Sequence, residues 1–322
     1  MLTKILAHSH STAWNVEQFL NPNLVGNIEP HWPLIVSTRS GLISTDQVNH
    51  DLFVEKKRRG RPSELRNSTT DSLVSAVAKS LGSTSFVTNV AAECSGSLHA
   101  LHMATALSKA NGCPSVVFVA DNMINDQFQM WRFNSLGALD QNSGRAFDST
   151  SAGFRMGSGM AMFVIAESSV PVRWPVVATI HSYNFFTNPE LLANPGSAQH
   201  IVENVKNINF GKIDFWNAHA TGTPVGDKFE YDLFSKLIKH DAPIVGYKSR
   251  VGHCISASGG IELCMSLEDR QQGCIRSNVL QGPPLANDSR IIDQPMAWLG
   301  KRMIKANFGF GGKTVICQVD FE

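Results

Sequence analysis

The chain has 322 residues, 43% of them hydrophobic, and a formal net charge of +1. That is enough apolar material for one large or two modest cores, and a net charge of +1 gives no global attraction to nucleic acid, whose backbone requires a concentrated positive surface. No apolar run approaches the roughly 18 residues that span a bilayer, and Met1 to His8 lacks the apolar stretch and cleavage site of a secretory signal, so a globular cytoplasmic protein is expected, with no membrane contact.

Taken in chain order, Pro33 to Ser37 is a predicted strand; the rest of Met1 to Asn67 gives little pattern. Within it, Lys56-Lys57-Arg58-Arg59-Gly60-Arg61 reads as a solvated loop, or as a docking patch for an acidic partner that would act on encounter rate. Asp71 to Leu81 has the apolar spacing of a helix. Ser85 to Val90 is a predicted strand running into Cys94, and Ser95 to Ala110 a predicted helix with Leu98, Leu101, His102, Thr105 and Ala106 on one face. Ser115 to Ala120 and Met160 to Ile165 are predicted buried strands, separated by a Gly/Asp/Asn-rich excursion, and the first half closes near Ser169.

After Pro171 the order restarts. Strands are predicted at Val176 to Tyr183, Ile213 to Asn217 and Ile244 to Tyr247, with two more near Met303 and Val315. Helices are predicted at Ala198 to Ile208, Asp227 to His240 and Ser258 to Gln272, and Pro283-Pro284 with Asn287-Asp288 marks a surface loop. The alternation indicates a layered α/β fold in two halves, 1–170 and 171–322, with no visible sequence repeat. Cys94, Cys113, Cys254, Cys264, Cys274 and Cys317 lie far apart without a CxxC pair. Free thiols and no metal site are therefore expected.

Three segments carry chemistry. Cys94, in Glu93-Cys94-Ser95-Gly96-Ser97, falls at a strand-to-helix junction, where unpaired N–H groups and the helix dipole favour thiolate over thiol. Its small neighbours leave room for a thioester carbonyl. His219, in Asn217-Ala218-His219-Ala220-Thr221-Gly222-Thr223-Pro224, follows a strand whose C-terminal edge is a common ligand site, and the hydroxyls of Thr221 and Thr223 suit an amide-bearing arm. His253 lies five residues after Lys248, whose ammonium would hold the imidazole neutral and able to donate one hydrogen bond; Glu262 could offset or position that ammonium. Asn307-Phe308-Gly309-Phe310-Gly311-Gly312 requires a sharply bent backbone that could offer an N–H to an oxyanion, and it lacks the Walker and Rossmann spacings, so nucleotide binding is not expected.

With these segments in order, the chain resembles the β-ketoacyl synthases of the thiolase superfamily, the Cys-His-His condensing enzymes of fatty acid and polyketide synthesis, from about Ser68 onward. Phe147-Asp148, Gly153-Phe154 and Gly157 resemble the loop before the family's next core strand. The resemblance implies a five-layered α-β-α-β-α fold of two pseudo-symmetric halves, with a shortened N-terminal half. It implies that Cys94 takes an acyl group from a carrier-bound thioester, while His219 and His253 assist malonyl decarboxylation and steady the enolate. Cys94 and Phe310 would supply oxyanion N–H groups, Phe310 would gate the acyl pocket, and Lys248 and Glu262 would support the histidines. Thr221 and Thr223 would contact the phosphopantetheine arm of an acyl carrier protein; no cofactor is bound otherwise, and a homodimer or a heterodimer with a ketosynthase-like subunit is implied.

Several positions depart from the family pattern. Met1 to Asn67 shows no copy of the opening strand-and-glycine motif, Ser151-Ala152 replaces an acidic-basic pair, Ser158 an acidic residue, and Lys313-Thr314 a Thr-Asn pair. Glu93 stands where a small residue is common, and a carboxylate turned toward Cys94 would oppose thiolate formation. Two other readings stay open: a chain-length-determining partner subunit, and an acyltransferase that passes the acyl group of Cys94 to oxygen or nitrogen.

Overall fold

Successive residues of a strand point to opposite faces of its sheet, and here the two faces meet different helices. The computed structural model describes residues 1–20, 27–41, 55, 62, 69–140, 142, 144–186 and 197–322; the basic run Lys56 to Arg61 lies outside them. The N-terminal half supplies strands β1 (Leu2–Ser11), β2 (Leu34–Ser37), β3 (Val87–Asn89), β4 (Ser115–Asn122) and β5 (Ser158–Glu167). Its helices are α1 (Val16–Leu20), α2 (Thr70–Ser80), α3 (Gly96–Asn111) and α4 (Gln127–Ser135). The C-terminal half supplies β6 (Ala178–Phe186), α5 (Ala198–Val205), β7 (Phe215–Asn217), α6 (Pro224–Leu237), β8 (Ile244–Val245), α7 (Lys248–Val251) and α8 (Ser258–Gln272). A short pair, β9 (Cys274–Ile275) and β10 (Met296–Ala297), precedes β11 (Arg302–Gly309) and β12 (Lys313–Phe321).

The ten long-sheet strands run in the order β3-β2-β4-β5-β1-β6-β12-β11-β7-β8. Read outward from the β1–β6 junction, the two sides are the same: β5 and β12, then β4 and β11, pair antiparallel, and the outer strands are parallel. Ile35, Val117, Val119, Phe163 and Ile165 on one side, with Phe215, Met303, Val315 and Val319 on the other, share a core with Leu98 and Leu101 of α3 and Ile261 and Leu263 of α8. The alternate residues Leu34, Val36, Val116 and Phe118 pack on Leu73 and Val77 of α2. Trp216, Ile304, Ala306 and Ile316 pack on α5 and α6. Because α3 touches β2, β4 and β5 as well as β6 and β12, the sheet doubles over a central helix pair, giving the five layers the family resemblance implied. Each large side chain so buried contributes about 2 kcal/mol.

Two expectations are corrected. Leu2–Ser11, unread in the sequence, is a central strand bonded to β5 and β6, with a register shift between Ile5 and Ala7. Its polar residues hid it: Thr3 is buried because its hydroxyl meets that of Thr105. The excursion between β4 and β5 contains α4, capped by Asp126, whose Oδ1 accepts from the Gln129 N–H at 3.0 Å. Asp126-x-x-Gln129 is a capping-box spacing that was legible. All six cysteines are unpaired, and among the described residues no helix is long and apolar enough to cross a membrane.

Candidate active site

Cys94 is carried on a strained turn. Glu93 has φ 47°, a left-handed conformation that a residue with a Cβ adopts at a cost of about 1–2 kcal/mol. Glu93–Ser95 forms one 3-10 turn, and α3 begins only at Gly96, so Cys94 precedes the helix rather than sitting in its first turn. Gly96 allows the turn to pass close to its neighbours: a Cβ there would lie 2.5 Å from Ser37 Oγ and 2.8 Å from Ser256 Cβ.

His219 follows β7 in a loop pinned by two buried carboxylates of α6. Glu230 accepts from the backbone N–H of His219 at 2.8 Å, of Ala220 at 2.6 Å, and from Trp216 Nε1 at 3.2 Å. Asp227 accepts from the N–H groups of Gly222 at 3.0 Å and Phe147 at 2.7 Å, tying the loop to the other half. Burial raises Glu230 above the usual carboxylate range and pushes Asp227 up to about 7, against the lowering effect of these bonds. Lys248 Nζ lies 3.3 Å and Asn307 Nδ2 3.4 Å from His219 Nδ1, and both groups can only donate. Nδ1 is therefore the acceptor, and the ring proton is on Nε2.

His253 is held by backbone crossing backbone. Its N–H donates to Arg155 O at 2.7 Å and its carbonyl accepts from Gly157 N at 3.0 Å. The preceding Gly252 has φ 78°, and a Cβ there would lie 2.6 Å from Gly157 Cα and Met156 O. Phe154 stacks edge-on at 5.1 Å, which is what the Gly153-Phe154 and Gly157 pattern provides structurally. Ser258 Oγ sits 2.9 Å from His253 Nδ1.

These three residues, 125 or more positions from Cys94 in the case of the histidines, meet at the base of one cleft of about 390 Å³. Cys94 Sγ is 3.2 Å from His253 Nε2, the two imidazole rings are edge-to-face at 5.7 Å, and the sulfur and one nitrogen of each ring lie within 4.8 Å of one another. Thr221 and Thr223, their hydroxyls 2.9 Å apart, line the cleft beside Val225, and Phe133, Phe308 and Phe310 line it too. Among the described residues this trio is also the one group of His, Cys, Asp or Glu donors that lies close enough together to hold a metal ion, although it offers three donors rather than the four of a structural zinc site.

The electrostatics correct the expected thiolate. Burial pushes the Cys94 thiol up to about 12, with the Glu93 carboxylate adding to this and Lys248 opposing it. Glu93 is turned toward Arg39 Nε at 3.3 Å, yet stays near enough to act. Burial, then Lys248, holds both His219 and His253 well below the usual imidazole range. The thiol so raised lies 3.2 Å from His253 Nε2, a nitrogen placed to exchange a proton with it.

Lys248 pairs with Glu262 Oε1 at 2.7 Å and also donates to the His219 carbonyl. Sequence reasoning missed Lys305, which takes the other oxygen of Glu262 at 2.7 Å. It also missed Asp121, buried at the end of β4, which accepts from Thr38, Arg39 and Ser40 and from both the N–H and hydroxyl of Ser256. A lysine inside an apolar strand and an acid closing one were the available signals. Of the departing positions, Ser151 Oγ accepts from Arg145 N at 3.0 Å, Ser158 Oγ donates to Asn122 Oδ1 at 2.7 Å, and Thr314 lines the cleft.

The family model described as "Beta-ketoacyl synthase, N-terminal domain" matches residues 32–170, and "Beta-ketoacyl synthase, C-terminal domain" matches residues 179–279. Prosolanapyrone synthase of Alternaria solani is 27% identical over 256 residues, covering 70% of this chain and 10% of the relative. A highly reducing polyketide synthase of Neurospora crassa is 29% identical over 201 residues, covering 57% of this chain and 8% of the relative. The chain thus spans about a tenth of the length of these curated relatives. Among solved structures, a type II PKS acyl-carrier protein in complex with its ketosynthase bound to the hexaketide aligns with TM-score 0.74 at 18% identity, over 91% of this chain and 78% of that one. The ishigamide ketosynthase/chain length factor aligns with TM-score 0.75 at 16% identity, over 91% and 76%. These likenesses are to the fold.

Proposed function

This chain belongs to the β-ketoacyl synthases of the thiolase superfamily, and from that premise we propose that it is a condensing enzyme of polyketide-like or fatty acid synthesis. The observation that carries the reading is the 3.2 Å approach of Cys94 Sγ to His253 Nε2 at the base of a cleft that also holds His219. In the first step the Cys94 proton passes to His253 Nε2 while the sulfur attacks the carbonyl of a carrier-bound acyl thioester. N–H groups of Cys94 and Phe310 receive the oxyanion. The carrier thiolate leaves and takes the proton from His253, restoring the neutral ring.

A malonyl thioester then enters past Thr221 and Thr223, which contact the amides of its phosphopantetheine arm. Its carboxyl carbon–carbon bond breaks, carbon dioxide departs, and the enolate oxygen accepts hydrogen bonds from Nε2 of both histidines. Ser258 Oγ, 2.9 Å from His253 Nδ1, accepts from that nitrogen in the first step; exchange with solvent then moves the ring proton from Nδ1 to Nε2, and in the second step Ser258 Oγ donates to Nδ1. The enolate carbon attacks the acyl carbonyl, the new carbon–carbon bond forms, and Cys94 leaves as thiolate to be reprotonated from solvent through His253. In this reading residues 1–170 carry the nucleophile and 171–322 both histidines, the acyl carrier protein is the delivering partner, and the working unit is a dimer.

A second reading follows from the neutral, buried Cys94 thiol: a subunit that condenses only beside a ketosynthase-like partner. The deciding experiment is intact mass of the purified protein after incubation with acyl-carrier thioesters, followed by malonyl-carrier. Acylation at Cys94 and release of carbon dioxide by the chain alone support the first reading; activity only with a second subunit supports the other. Acylation without malonyl decarboxylation would point to transfer onto oxygen or nitrogen.

A further inference from the structure

Lys305 is the unexplained charge. On β11, Met303, Lys305 and Asn307 face the central helices while Ile304, Ala306 and Phe308 face α5 and α6, so a lysine occupies a position that alternation assigns to the dry middle layer. It is fully buried, and its ammonium is satisfied by Glu262 Oε2 at 2.7 Å, Ala306 O at 3.1 Å and Ala218 O at 3.3 Å. Ala218 immediately precedes His219, and Lys248, on the other oxygen of Glu262, grips His219's own carbonyl and Nδ1. The His219 loop is therefore clamped by two lysines sharing one carboxylate.

The charges around the imidazoles can be added up by element. Lys248 comes from α7, Lys305 from β11, Glu262 from α8, and Glu230 and Asp227 from α6; Cys94, Asn307 and Ser258 are the uncharged polar neighbours. Burial raises Glu230, but it accepts three N–H bonds, a pattern that suits the charged carboxylate, and the field of Lys305 favours that form as well. Glu262 with Lys248 alone would be neutral, leaving Glu230 uncompensated in a dry core. Lys305 supplies the second positive charge, and burying it without such partners would be prohibitively costly.

We propose that Lys305 is a positioning residue of this site: by balancing Glu262 and Glu230 behind His219, its ammonium keeps both imidazoles neutral and fixes the Nε2–H form of His219. Its effect on turnover rests on the condensing reading above; its effect on the rings does not. Lysine cannot be replaced by methionine here without leaving one excess negative charge, which draws protons onto the imidazoles at higher pH.

The test uses the full chain as wild type, Lys305→Met, and the double variant Lys305→Met/Glu262→Gln, in which one lysine again faces one glutamate. Histidine tautomers and titration are read by nitrogen-15 NMR, and Cys94 loading by intact mass across pH 5.5 to 8.5. In K305M the titration of His219 and His253 moves up by about one pH unit, and the acid limb of Cys94 loading moves up with it. The double variant moves both back toward wild type and denatures at higher urea than K305M. If K305M does not fold, the double variant still decides: one no more stable than the single variant overturns the proposal. Folded K305M with unmoved histidine signals overturns it as well. If wild type fails to load Cys94 at all, the condensing reading falls while the NMR comparison still judges Lys305.

Discussion

Glu93 and Ile255 occupy matching places in the two halves. Each has a positive φ, 47° and 42°, each opens a single 3-10 turn, and each turn leads into a central helix, α3 or α8. The second residue differs: Cys94 in one turn, Ser256 in the other. Each turn is also clasped from the opposite half. Asn307 of β11 donates to the Cys94 carbonyl at 2.8 Å, and Asp121 of β4 receives the N–H of Ser256 at 2.9 Å together with its hydroxyl. The clasp on Cys94 engages only its backbone, so the side chain is free to face His253; the clasp on Ser256 takes the side chain too. One backbone device leaves its second side chain free to face an imidazole only where the clasp takes the backbone alone.

The comparison breaks most visibly at Cys94, the nucleophile of the proposed reaction. Cys94→Ala is expected to abolish adduct formation with acyl-carrier thioesters, read by intact mass, while Cys254→Ala and Cys264→Ala still load. Because burial pushes the Cys94 thiol up to about 12, its alkylation by iodoacetamide should keep rising from pH 7 to 10. The sign is fixed by the chemistry: a raised thiol pKa leaves the neutral S–H dominant below it, and each unit of pH adds thiolate. A plateau below pH 8 would instead mean a resting thiolate–imidazolium pair.

The clasp comes next. Asp121→Ala strands two hydroxyls and three backbone N–H groups in a buried place. At about 1–3 kcal/mol for each unsatisfied group, partly relieved by water, the loss should exceed about 4 kcal/mol in urea denaturation. Loss below about 2 kcal/mol would mean the two turns hold together without it. Gly252→Ala ranks below this. The left-handed φ of 78° and the 2.6 Å contact with Gly157 predict about 3 kcal/mol of destabilisation. It also displaces His253, so Cys94 loading should fall; loading at the wild-type rate would show that His253 does not depend on this backbone crossing.

Most of the frame was legible because apolar periodicity reports which faces are buried. The helix Ser258–Gln272 was read to the residue, and β4, β5 and α3 to within a few. Cys94, His219 and His253 were found because each lies in a distinctive local segment, but their convergence depends on the doubling of the sheet, which no local pattern encodes. β1 escaped because its side chains alternate between sheet faces that are only partly covered, leaving a mixed run such as Ala7-His8-Ser9-His10. Lys305, Asp121 and Glu230 escaped for a different reason. A charged residue reads as exposed until its partner is known, and the partners Glu262, Ser256 and the His219 backbone come from elements up to 135 residues away. The expected thiolate failed because dipole reasoning used the helix end alone and left out burial.

The smallest effect tests the comparison most sharply. Ser256→Ala removes the hydroxyl's bond to Asp121 but keeps the backbone N–H bond at 2.9 Å, so about 1.5 kcal/mol should be lost, with Cys94 loading close to wild type. Ser256→Cys in the Cys94→Ala background then places a thiol at the matching position of the other turn. Its neighbour there is a carboxylate, which raises a thiol's pKa, rather than an imidazole that can take its proton. No adduct is expected. Loading at residue 256 would show that a thiol on this turn suffices without a facing imidazole, and the distinction drawn between the two turns would fail.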